Sequence, residues 1–348
     1  MRSIFAWFGR RWTGANKPLL VIQMIVVMVV AFSLHHCGWL RTDSAVTRGP
    51  DQSAAFDPQE FLCGLSGGPV GADRAQPSFG RRYTQAERAE ARRMISAALR
   101  SFGLRPRELR YDWEANDGAY AGDAYLAEGC GGYGVNLIAE LPATEMSEDW
   151  IIVGAHYDTV DASPGADDNA SGVTAVLLVA EELAHLSVRL ANVAFVFFDQ
   201  EEIGLVGSRH FVNVLRFRDA GVRLAETHVI DMAGWDGDHD RAMEIAYCGN
   251  GFREAADALA ARYRDAAGRL AQDPRGLMVG EITVHESCRS DHVSFARDRF
   301  IAIQIGEEFN GDMCPAYHEP ADTCDTLDYG YLRSVAALVA AAVIEQLG

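Results

Sequence analysis

Five short segments carry residue types that bind divalent metals, and they follow one another in the order His, Asp, Glu-Glu, Asp, His. The first, Gly154-Ala-His-Tyr-Asp-Thr-Val160, closes an apolar run. His156 and Asp158 stand two apart, so on an extended segment both side chains project to one face. A carboxylate beside a histidine can orient the ring of a metal ligand; the same pair also suits a core histidine held by a structural aspartate. The second segment, Ser163-Pro-Gly-Ala-Asp-Asp-Asn-Ala-Ser-Gly172, runs into a helix. One aspartate there can cap the helix, which leaves the other of Asp167 and Asp168 free to face a cleft. The third ends a Val- and Phe-rich run with Asp199-Gln-Glu-Glu202. The adjacent carboxylates Glu201 and Glu202 repel each other unless a cation lies near. With a cation, one can bind it while the other moves protons. The fourth places Asp231 at a strand end, and the fifth, Ser290-Asp-His-Val-Ser-Phe295, supplies His292. Each alone suits a turn acid, a cap or a surface histidine. Together, three of them at expected strand ends, they point to one shared metal centre.

The elements that must position these residues are legible as alternating apolar runs and helices. Residues 135–141, 150–155 and 193–198 read as buried strands, with shorter ones at 228–232 and 300–305. Helical patterns cover 171–186, 254–266 and 331–347, and Thr84 caps an amphipathic helix that follows it. Near-continuous apolar strands alternating with helices predict an α/β fold with a mainly parallel or mixed central sheet, flanked by helices on both faces. In such sheets ligands bind at the carboxyl ends of the strands.

The chain has 348 residues, 49% of them hydrophobic, and a formal net charge of −18. That charge argues against a nucleic-acid surface, which needs a basic face, and suits cations or amine-bearing substrates. Residues 1–17 carry Arg2, Arg10, Arg11 and Lys17 and no acid, and 18–34 is an uncharged apolar run. We expect a signal anchor over 18–40 in an N-terminal transmembrane helix, with its basic flank cytoplasmic and the rest exported to the periplasm or outside. A cleaved signal peptide and a secreted product is the rival expectation. Residues 41–80 read as a linker and 81–348 as the folded domain. Of seven cysteines, Cys37 belongs to the apolar segment. Among the other six, Cys314 and Cys324 are the first candidate pair by proximity. No CxxC pair suggests a zinc ribbon, and nothing fixes the oligomeric state.

The five segments resemble those of metallopeptidase family 28, the bacterial double-zinc aminopeptidases and their relatives, over about residues 136–327. The stretches Gly-Ala-Asp-Asp-Asn-Ala-Ser-Gly and Glu-Glu-Ile-Gly-Leu-Val-Gly-Ser carry most of the likeness. The resemblance implies two zinc ions, a peptide substrate and hydrolytic removal of N-terminal residues. Residue by residue it implies His156 on one zinc with Asp158 orienting it, and Asp168 bridging both metals. It implies Asp231 completing the first site, Glu202 and His292 on the second, and Glu201 as general base. His318-Glu-Pro-Ala-Asp-Thr-Cys-Asp-Thr326 also resembles the family near its last helix, but no chemistry is assigned to His318. Glutaminyl cyclases share the resemblance with one zinc and an intramolecular acyl transfer; the intact Asp-Asp-Asn-Ala-Ser-Gly favours the two-metal peptidase. A carboxypeptidase and a non-catalytic membrane-tethered binding module are the remaining alternatives.

Overall fold

Val, Ile and Phe in unbroken runs make strands that can be covered on both faces, and the centre of the sheet is built from them. In the computed structural model, residues 56–68, 80–113, 132–218, 223–249 and 251–348 are described, all within the unit Val46–Gly348. The strands are β1 (Arg107–Asp112), β2 (Tyr133–Leu141), β3 (Asp149–His156), β4 (Asn192–Phe198), β5 (Arg223–Ile230), β6 (Met243–Tyr247), β7 (Ile282–Glu286) and β8 (Ala302–Gly306). They form one sheet in the order β1-β2-β4-β3-β5-β8-β6-β7. Strands β4, β3, β5 and β8 run parallel, as do β6 and β7, while β1–β2, β2–β4 and β6–β8 are antiparallel. The sheet is therefore mixed around a parallel centre. Every residue of β4 is buried.

Register sets the height of the site. His156 pairs with Phe198, and Gly154 pairs with Val229. Two residues further along, Asp231 comes level with His156, and its N–H donates to Ile305 O at 2.9 Å. The carboxyl ends of β3, β4 and β5 thus deliver their polar residues to one edge.

Among the described residues the helices are α1 (Pro58–Ser66), α2 (Gln85–Ser101), α3 (Gly172–Ala184), α4 (Val206–Arg218), α5 (Arg253–Leu270), α6 (His292–Arg297) and α7 (Tyr329–Leu347). Helices α1, α2, α3, α5 and α7 share the main core with one face of the sheet. On the other face Phe198 of β4 meets Phe211 of α4 and Phe295 of α6, at ring-centroid distances of 5.8 and 6.1 Å. The Thr84 cap is present: Glu87 N–H donates to Thr84 Oγ1 at 3.3 Å, and Thr84 N–H to Glu87 Oε2 at 2.7 Å. Helix α7 is long and apolar enough to cross a membrane, but 61% of its apolar window is buried in the fold, as in a core helix.

Two sequence expectations change. The stretch read as a linker contains α1, capped by Asp57 and fastened to the domain by a Cys63–Cys324 disulfide. The expected Cys314–Cys324 pair does not form; Cys248 bonds Cys288, and Cys314 is a buried free thiol. Its N–H is held on Glu307 Oε1 at 2.8 Å and it packs with Met232 and Ala316, whereas Cys324 lies in the main core against α1. The expected transmembrane segment, residues 18–40, lies outside the described residues, as do its basic flank and Cys130.

Candidate metal centre

His156 is fully buried at the end of β3, and its Nε2 faces two carboxylates, Asp168 Oδ1 at 3.2 Å and Asp231 Oδ1 at 3.3 Å. The other ring nitrogen lies 3.3 Å from Asp158 O and 3.6 Å from Asp158 Oδ1. Asp158 also accepts the N–H of Glu201 at 3.0 Å and of Glu202 at 3.2 Å. One carboxylate thus orients the histidine and fixes the backbone of the glutamate pair. Ligand atoms of His156, Asp168 and Glu202 all lie within 4.8 Å of one another.

Asp168 sits in a wide turn, Ala166–Ser171, whose residues Asp168 and Asn169 have non-helical dihedrals and whose Asp168–Asn169 peptide is cis. Asp322 holds the turn, accepting the N–H of Asp167 at 2.7 Å and of Asp168 at 3.2 Å. Asn169 ties it to the end of β5, donating to Ile230 O at 3.0 Å and accepting from Met232 N–H at 3.2 Å. Gly172 is required sterically, because a Cβ there would lie 2.2 Å from Asn169 Oδ1 and 2.5 Å from Ile230 O. Behind the turn lies Arg82, fully buried. Its guanidinium donates to Tyr157 O at 2.7 Å, Pro164 O at 2.8 Å, Gly165 O at 2.8 Å and Leu65 O at 3.3 Å. It therefore joins the His156–Asp158 segment, the aspartate turn and α1. Burial lowers its pKa to about 10, against the pull of Asp322, Asp168, Asp158 and Glu202.

The structure brings together His156, Asp158, Asp168, Glu202 and Asp231, with Glu201 beside them. His292 is placed elsewhere. It opens α6, fully buried, with Nε2 on Ser287 O at 2.9 Å. Among the described residues no hydrogen bond or ion pair links it to the cluster. Burial lowers its pKa to about 4. In the Ser-Asp-His segment both Asp291 and His292 have Asp231 as an electrostatic neighbour, and Asp291 has His156 and Asp158 as well. The second imidazole comes instead from His318, whose Nε2 is 3.0 Å from Asp168 Oδ2 and 3.1 Å from Glu202 Oε2. His318 lies on a turn with φ 62°, and Tyr317 stacks on it at 3.8 Å between centroids. The signal that could have found it was the His318-x-x-x-Asp322 spacing, because Asp322 fastens the very turn that carries Asp168.

The residues fit a divalent metal. Imidazole nitrogens and carboxylate oxygens are zinc donors. Glu202 Oε1 is buried without a hydrogen-bond partner. The protonation states show the same demand for positive charge. Burial opposes charge on His318, yet Asp168 and Glu202 raise its pKa to about 10. His156 is likewise raised against burial by Asp231, Asp158 and Asp168. Burial and the neighbouring Asp168 push Glu202 up to about 7. Burial raises Glu201 well above the carboxylate range, with His156 opposing it and Glu202, Asp291 and Asp231 reinforcing it.

A mixed α/β sheet with a buried histidine–carboxylate cluster at its carboxyl edge has the make-up of a metal-binding α/β protein. Peptidase family M28 matches residues 136–343, and the chain belongs to that family. The family is one of peptidases by its description. Aminopeptidase YwaD of Bacillus subtilis is 30% identical over 59% of this chain and 42% of its own length. A probable leucine aminopeptidase of Trichophyton verrucosum is 27% identical over 61% of this chain and 57% of its own. The chain thus spans less than two thirds of these relatives. Among solved structures, the zinc aminopeptidase BSAP of Bacillus subtilis superposes with a TM-score of 0.68 at 17% identity, covering 85% of this chain and 96% of its own. The glutaminyl cyclase of Porphyromonas gingivalis superposes with a TM-score of 0.63 at 21% identity, over 84% and 99%. These two likenesses speak to the fold.

Proposed function

We propose that the chain is a zinc-dependent exopeptidase, an aminopeptidase that uses two zinc ions to remove residues from peptide N-termini. One observation carries the reading: the two oxygens of Asp168 face different imidazoles, His156 on one side and His318 on the other. A carboxylate so placed can be shared by two ions. His156 and Asp231 would complete one site, and His318 and Glu202 the other. His318 replaces His292 in this assignment. Two zinc ions, when bound, supply Lewis acidity that brings a water toward a pKa of ~7 and polarises a carbonyl.

The chain's own residues do the rest. Asp158 holds His156 by its ring and Glu201 by its backbone, so ligand and base move as one unit. Glu201 accepts a proton from the attacking water on a side-chain oxygen and returns it to the leaving amine. The surplus acids of the cluster favour a substrate with a free α-ammonium group. The peptidase domain is exported in this reading, tethered by residues 18–40, and the two disulfides suit an oxidising compartment.

The test is Glu201→Gln in the full chain. Hydrolysis of a leucyl-arylamide should fall by about 10²–10⁴-fold, the range for general acid–base groups, with zinc content unchanged. Near-normal turnover with both metals bound would refute the role of Glu201.

A further inference from the structure

We propose that the loop after Asp231 holds a separate divalent-cation site of the calcium class, made by Asp236, Asp238 and Asp312. One carboxylate oxygen from each of these residues lies within 4.8 Å of the others. Asp238 also belongs to an adjoining trio with Asp240 and Glu308, so further oxygen donors stand beside the first three. Hard cations take six to eight oxygen ligands, and carboxylates from short loops are their usual source.

Crowded surface acids are common without an ion, so the buried member decides. Asp236 is 7% exposed. One oxygen, Oδ1, accepts Arg241 N–H at 3.0 Å, while Oδ2 is buried with no hydrogen-bond partner. A buried carboxylate oxygen without a partner is costly unless a cation or proton meets it. No Lys or Arg side chain supplies that cation: among the described residues no ion pair reaches Asp236, Asp238, Asp240, Glu308 or Asp312. The nearest candidate in sequence, Arg241, turns its guanidinium to Met278 O at 3.4 Å and Ser334 Oγ at 3.3 Å.

Backbone donors shape the loop without neutralising it. Asp312 accepts from Gly237 N–H at 2.5 Å, Asp238 N–H at 3.0 Å and Trp235 Nε1–H at 3.2 Å. Asp312 Oδ2 spends both lone pairs on Gly237 and Asp238, while Oδ1, which accepts only Trp235 Nε1–H, keeps one for a metal. The trio Asp236, Asp238 and Asp312 offers oxygen donors alone, unlike the zinc centre with its two imidazoles, and Asp236 also stands in a neighbouring trio with His239 and Asp328. The position gives the site a purpose. Asp236 follows Asp231 on the same loop, and Asp312 precedes His318 on another, so an ion here would pin together the segments that carry two proposed zinc ligands.

The test uses zinc-loaded, full-chain protein and two probes, Tb³⁺ and Ca²⁺. Trp235, hydrogen-bonded to Asp312, is positioned as a luminescence antenna for Tb³⁺. We expect saturable tryptophan-sensitised emission that Ca²⁺ displaces, one Ca²⁺ per chain by calorimetry, and a rise in melting temperature with Ca²⁺. A Kd of roughly 10⁻⁴–10⁻³ M would match extracellular calcium modules. Asp238→Asn, at an exposed position, and Asp236→Asn should each weaken Ca²⁺ binding by about ten-fold or more, the expected cost of removing a charged ligand, while zinc content stays unchanged. Absence of Ca²⁺ binding at millimolar concentration, or binding that both variants leave intact, would overturn the proposal.

Discussion

Replacing His318 by alanine separates the geometry of this site from its sequence pattern. His318 Nε2 stands between Asp168 Oδ2 and Glu202 Oε2 at 3.0 and 3.1 Å, the only imidazole that touches Glu202 among the described residues. Zinc binding to a four-ligand site is worth about 10–16 kcal/mol, so one ligand accounts for roughly 3 kcal/mol. At ~1.4 kcal/mol per decade, His318→Ala should weaken one zinc by about 10²-fold and leave the other. His292→Asn is the partner experiment. Its ring bonds Ser287 O at 2.9 Å and nothing in the cluster, so zinc affinity should change by less than about three-fold, under 1 kcal/mol on the same scale. Competition with a chromophoric chelator, followed by metal analysis of the dialysed protein, reads both constants. Loss of one zinc in the His292 variant and retention of both in the His318 variant would refute the assignment.

Two further outcomes test the surrounding structure. Arg82→Met removes a fully buried cation that donates to four carbonyls. Removing one member of a buried charged network costs about 3–5 kcal/mol, so urea denaturation of zinc-free protein should show a loss of that size; a loss under ~1 kcal/mol would mean that Arg82 does not hold the turn. Asp199 is buried against Arg88 Nε at 2.7 Å, and burial, opposed by Arg88, raises its pKa from 3.8 to about 6. A raised folded-state pKa gives stability that is present below pH ~4 and lost as pH rises through about 6. At ~1.4 kcal/mol per pH unit, zinc-free wild type should lose roughly 3 kcal/mol relative to Asp199→Asn across that window. A pH-independent difference between the two proteins would exclude this coupling.

Much of the sheet was legible because its central strands are buried on both faces and their composition says so. The run at 193–198 became β4, and its neighbours at 150–155 and 135–141 became β3 and β2 with ends shifted by one or two residues. The edge strand β1, Arg-Glu-Leu-Arg-Tyr-Asp, escaped because four of its six residues are charged. Helix α1 escaped because its surroundings are rich in Gly and Pro, and it owes its place to core packing and a disulfide to a residue 261 positions away. The same limit applied at the site. Strand ends announce their residues, so His156 and Asp231 stood out. His318 lies on a turn with positive φ, where no periodicity points, and the Ser-Asp-His of the α6 start drew the assignment instead. What brings His318 to Asp168 is tertiary, namely Asp322 bonded to the aspartate turn.

The most direct measurement is zinc stoichiometry set against activity in the full-length protein. Zinc is stripped with a chelator, restored in steps and counted, while cleavage of a leucyl-arylamide and cyclisation of a peptide with N-terminal glutamine are followed in parallel. We expect two zinc ions per chain and arylamide cleavage that rises with them. A single zinc per chain supporting cyclisation without cleavage would contradict the reading of Asp168 as a carboxylate shared by two metals.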